Sequence, residues 1–133
     1  MNIRKIRIRL VLTGIVVLVL FVINKEYLRP AFQNNEVVSI IVGSLPNFLG
    51  AYLFSLLPFE RIIKSNNKNR KAYYYLYVAI IFIFLIIEEF FPFFTASKTF
   101  DVYDILASGM GCILAILSYE ITIKKMLIKN QAS

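Results

Sequence analysis

Histidine is absent from this chain, and cysteine occurs once, at Cys112. Without imidazole the sequence lacks the usual general base near neutral pH and the commonest metal ligand, which excludes a histidine-dependent hydrolase or zinc enzyme. One thiol can form neither an intramolecular disulfide nor a thiolate metal cluster. Tryptophan is missing as well, and only eight acids occur among the 133 residues. Charged residues make up 17%, below the roughly 25% of ordinary soluble domains. Nothing in this residue content calls for a cofactor or a resident metal.

What fills the chain instead is apolar. Hydrophobic residues reach 59%, more than a single domain of this length can hide in one core, so the excess must face lipid. Four runs lack charge for long enough to matter: 10–24, 37–59, 72–87 and 105–119. A spanning helix needs about 20 mostly apolar residues. The first run reaches that length if Ile3, Ile6 and Ile8 join it while Arg7 and Arg9 snorkel to the headgroups. The fourth needs Val102 and Tyr103, which places Asp104 in its first turn. The expected fold is therefore all-α, a single domain over 1–133, with spans at about 6–24, 37–58, 72–91 and 102–120. No internal repeat, low-complexity tract or domain linker interrupts it.

The basic residues orient this bundle. Arg4, Lys5, Arg7 and Arg9 precede the first span; Arg61, Lys64, Lys68, Arg70 and Lys71 fill the loop after the second; Lys124, Lys125 and Lys129 follow the fourth. Only Lys25, Arg29 and Lys98 fall on the other side. The positive-inside rule then puts both termini in the cytoplasm. Net charge is +7, and its placement reads as topology and attraction to anionic membrane lipid rather than to nucleic acid. The stretch MNIRKIRIR followed by an apolar run resembles a signal peptide, but VINKEYLRP offers no small-residue cleavage site, so an uncleaved first helix is expected. Tyr73, Tyr74, Tyr75 and Tyr77 read as an aromatic belt.

Two features inside the spans stand out. Pro46 removes a helix hydrogen bond and pushes against the Val42 carbonyl four residues back. Hydrocarbon offers that carbonyl no partner, and Asn47 is the nearest candidate. Pro46 and Asn47 thus mark an expected helix break, serving packing or lining a cavity. In the fourth span Ala107, Gly111 and Ala115 recur at intervals of four, a spacing that lets a second helix backbone approach closely.

The candidate functional cluster is acidic. Glu88 and Glu89 close the third apolar run, and Asp101 and Asp104 open the fourth. Ionisable groups at that depth are costly and mark a site by default. Asp104 shares a helical face with Ser108, and Lys98 is the nearest cation in sequence. The alternative for the aspartates is a helix cap, since a first turn welcomes negative charge. Pro92 should end the third helix near Phe90 or Phe91.

The stretch from Glu89 to Gly111 resembles the C-terminal signature of the VanZ-like family of small bacterial membrane proteins. Glu89 stands for that signature's glutamate, Lys98 for its basic residue, and Asp101 and Asp104 for its paired aspartates. Ala107 and Ser108 stand for its Ala-Asn pair, and Gly111 for its glycine. The signature's glutamine is lacking near Phe91, lysine replaces arginine, and serine replaces asparagine. The resemblance implies a multi-pass protein of the bacterial cytoplasmic membrane with a cell-envelope role. It would act on lipoglycopeptide (teicoplanin-type) susceptibility, or on lipid-linked envelope precursors at the outer leaflet. It supplies no reaction. The rival expectation is a lipid-headgroup enzyme in which Glu89, Asp101 and Asp104 work with a divalent cation and substrate phosphate. A third is a helper that packs against another membrane protein.

Overall fold

A computed structural model describes residues 3–65, 67–91 and 101–131. The described residues are helical, without strands, and four helices are long and apolar enough to cross a membrane. Helix α1 (Ile3–Ile23) passes into a π-helical turn (Asn24–Leu28) and a short α2 (Arg29–Phe32). Helix α3 covers Glu36–Leu56 and α4 covers Phe59–Lys64; α5 spans Arg70–Phe90 and α6 Val102–Gln131. At about 1.5 Å per residue, the 21 residues of α3 and of α5 each match a hydrocarbon core about 30 Å thick.

The first span departs from its expected end near residue 24, because the helix continues to Phe32. Pro30 has no N–H for the Glu26 carbonyl, and its ring would press on that group. A π-turn absorbs the conflict by widening the helix, so that the Arg29 N–H reaches back to the Asn24 carbonyl. Asn35 then caps α3, its side chain accepting from the Val38 N–H at 3.2 Å, with Glu36 in the favourable first turn. Asn67 and Ser65 shape the polar turn before α5 by accepting from the N–H groups of Asn69 and Asn67. Helix α5 stops at Phe90 because the residue before a proline is driven from the helical region; Phe91 sits at φ −129°, ψ 80°.

The break expected at Pro46 and Asn47 is instead a continuous helix. Its freed carbonyl is satisfied from another helix, Asn24 Nδ2 donating to the Val42 oxygen at 2.9 Å. Arg29 Nη2 donates to the neighbouring Gly43 oxygen at 2.8 Å. Asn24, fully buried, thus has the task expected of Asn47.

The most extensive packing joins α3 to α6, with α5 and α1 laid against that pair. Gly111 makes this possible: a Cβ there would lie 2.3 Å from the Phe48 carbonyl oxygen and 3.0 Å from the Ala51 Cβ. Ala115 is fully buried at the same seam, whereas Ala107 is half-buried and lines an outer groove. Toward the basic end Tyr74 stacks on Tyr119 at 4.2 Å, and Phe59 meets both rings edge-on. Tyr74 also donates toward the Ser55 and Ala115 carbonyls. The belt residues accordingly divide, Tyr74 into the core and Tyr73 and Tyr75 outward. Helix α1 is apolar around most of its circumference, and Val11, Leu12, Val16, Leu18 and Val22 are each more than half exposed. Such a surface is at rest only in lipid.

Candidate functional site: a polar cavity at the α3–α6 mouth

Helix α6 begins with a cap whose two halves come from different helices. Asp101 Oδ1 accepts from the Tyr103 N–H at 2.8 Å, as an N-cap carboxylate does. In a capping box the third residue of the helix would reach back to the Asp101 N–H. That residue is Asp104, and the N–H goes instead to Glu89 Oε1 at 2.9 Å. The last turn of α5 thereby holds the start of α6, and Asp104 is released from capping.

Asp104 turns inward. It is half-buried, beside Asn47 and within electrostatic reach of the cation of Arg29 and the carboxylates of Asp101 and Glu89. A polar cavity of about 300 Å³ opens beside it, lined by Arg29, Ser39, Val42, Gly43, Asp101 and Asp104. Asp104 also lines a space of about 10 Å³ among Asn47, Glu88, Glu89 and Ser108, about enough for one water. Ser108 is buried, and Glu88 is half-buried beside that space.

The structure thus brings together Glu88, Glu89, Asp101, Asp104, Ser108 and Asn47. Lys98 lies outside the described residues, and the described cation facing Asp104 is Arg29. Two members escaped the sequence reading, Arg29 and Asn24. Asn24 closes the first apolar run and Arg29 follows it, and neither was given a part in the site because the π-turn that carries the helix past Pro30 was not foreseen. The usable signal was the open Val42 carbonyl, which requires a donor from somewhere in the membrane.

Chemically the cavity offers a guanidinium beside carboxylates. Guanidinium suits a phosphate oxygen; carboxylates and carbonyls suit hydroxyls and amines. Among the described residues no three His, Cys, Asp or Glu side chains converge in a way that could hold a metal ion. Glu89 and Asp101 spend oxygens on the α6 N-terminus instead. No family model, curated protein or solved structure matches the chain.

Proposed function

We propose that this multi-pass membrane protein is a VanZ-like protein of the bacterial cytoplasmic membrane, with both termini in the cytoplasm. Its Asp104 cavity would receive the headgroup of a lipid-linked envelope precursor at the outer leaflet and so influence lipoglycopeptide susceptibility. One observation carries the reading: a polar cavity of about 300 Å³ holding Arg29, Asp101 and Asp104 at the mouth of an otherwise apolar bundle. Ionised groups are kept at such depth at a cost that function repays. A precursor headgroup joins phosphate to sugar hydroxyls and amides, which matches a guanidinium set beside carboxylates. The volume is at the lower end for ligand sites, enough for part of such a headgroup. The twelve basic residues expected on the cytoplasmic side support the orientation. The divalent-cation enzyme is less well supported, because its carboxylates are divided between capping and the cavity.

The test is complementation of a deletion strain. Asp104→Asn preserves shape and removes charge; it should insert normally and fail to restore lipoglycopeptide susceptibility to the wild-type level. Asp101→Ala should lower thermal stability, since it deletes a cap. Full complementation by Asp104→Asn would leave both aspartates as parts of a helix start and end the proposal.

A further inference from the structure

The polar cavity between Arg29 and Asp104 carries unbalanced charge, and the imbalance bears on what can enter it. Its lining holds one guanidinium and two carboxylates, with Ser39, Val42 and Gly43 between them. Glu89 adds a further negative charge within reach of Asp104. Among the described residues the wall is therefore net anionic, by one charge from the lining alone and by two with Glu89. An unmatched carboxylate at membrane depth is costly, and a positive charge on the ligand offsets it. Hydrogen bonding points the same way. Carboxylates only accept. Asn24, whose Nδ2 holds the carbonyl of Val42 in this wall, is fully buried, and its Oδ1 accepts from no described residue. The wall is short of donors, not of acceptors.

Candidate cations differ in how they meet that need. A metal ion fits poorly, since no three acidic, histidine or cysteine side chains converge among the described residues. A quaternary ammonium has no N–H to donate and is held by aromatic faces, and the described lining has none. A primary ammonium is all donor. Arg29 sets the other half of the ligand. Its Nη2 donates to the Gly43 carbonyl at 2.8 Å, which fixes the side chain without exhausting its fork of N–H groups, and that fork matches phosphate oxygens. We infer, on the reading of this cavity as a headgroup site, that its ligand is a lipid whose headgroup joins a phosphate to a primary amine. The phosphate lies at Arg29 and the ammonium at Asp101 and Asp104.

The full chain in dodecylmaltoside micelles is offered equal amounts of phosphatidylethanolamine, phosphatidylcholine and N-acetyl-phosphatidylethanolamine, then released for native mass spectrometry. One phosphatidylethanolamine should be retained about tenfold over either of the others, the weight of one charge-assisted hydrogen bond. Asp104→Asn should abolish that preference. Glu26→Gln, which removes an exposed acid outside the cavity, should keep it. Arg29→Gln should lower retention of phosphatidylethanolamine and phosphatidylcholine alike, because both carry the phosphate. The preference is a ratio within one sample, so a loss of folded protein does not imitate its disappearance. Equal retention of the three lipids by the wild type, an unchanged preference in Asp104→Asn, or the same loss in Glu26→Gln would each overturn the inference. Displacement of the lipid by soluble O-phosphoethanolamine at equal concentration would overturn it too, by assigning the site to a free zwitterion. An amine preference together with full complementation by Asp104→Asn would uphold this site and end only the proposed role in lipoglycopeptide susceptibility.

Discussion

Substituting Gly111 with alanine adds one methyl group at the tightest point of the bundle. That carbon would lie 2.3 Å from the Phe48 oxygen, below the 3.0 Å that real Cβ contacts respect. The obstacle is backbone on both sides, including the Tyr52 nitrogen at 3.0 Å, so no rotamer change relieves it. The two helices must part by the roughly 0.7 Å between 2.3 and 3.0 Å. A gap of about that size forfeits a quarter to a half of the dispersion energy of the atoms it separates. Overpacking costs about 1–3 kcal/mol, and a clash on a carbonyl belongs at the top of that range. Better helix propensity for alanine offsets about 1 kcal/mol, leaving a net loss of about 2 kcal/mol. Gly50→Ala is the matched control: nothing lies within 4 Å of its Cβ position, so only the propensity gain remains. Reversible unfolding in mixed dodecylmaltoside and dodecyl sulfate micelles, followed by far-ultraviolet circular dichroism, measures both. Gly111→Ala unfolding at the same dodecyl sulfate fraction as Gly50→Ala would refute a backbone-to-backbone seam between α3 and α6.

Asn24→Leu should destabilise the bundle by about 1–3 kcal/mol, the cost of leaving the Val42 carbonyl without its donor. Adding Pro46→Ala should recover much of that, because residue 46 then supplies the missing N–H; additive losses in this double-mutant cycle would break the link. Tyr74→Phe keeps the ring stack and removes the donor to two carbonyls, so a loss of about 1–2 kcal/mol is expected in the same micellar assay. A reporter active only outside the cytoplasm, fused after Ser133, should stay silent; strong activity would overturn the proposed orientation.

The long elements were legible because each membrane span imposes its own length. The spans read at 37–58 and 72–91 lie within a few residues of α3 and α5, and Phe90 ends α5 as Pro92 requires. Side-chain partners between spans were a different matter. Sequence spacing showed that the Val42 carbonyl would lack an N–H donor but could only point to a donor on the same helix; the donor is 18 residues away, in the π-turn that follows α1. Arg29 was hidden for the same reason, since its place beside Asp104 depends on a π-turn that reads in sequence as the end of a helix. Glu89 and Asp101 were legible as a cluster. The cap they share at the start of α6 depends on where the end of α5 lies in space, and helical periodicity carries no record of that.

The α3–α6 seam also sets a timetable for synthesis. Phe48 and Ala51 leave the ribosome 63 and 60 residues ahead of Gly111, an interval of about 3–12 s at ordinary translation rates. Asn24 is already made when α3 enters the bilayer, so the Val42 carbonyl finds its donor at once. The surface that Gly111 will cover must wait, facing lipid or the translocation machinery until the last helix is inserted. A ribosome stalled before α6 would therefore hold a chain whose proline is accommodated but whose central helix still lacks its main partner, and that chain is the form a membrane quality-control protease would meet.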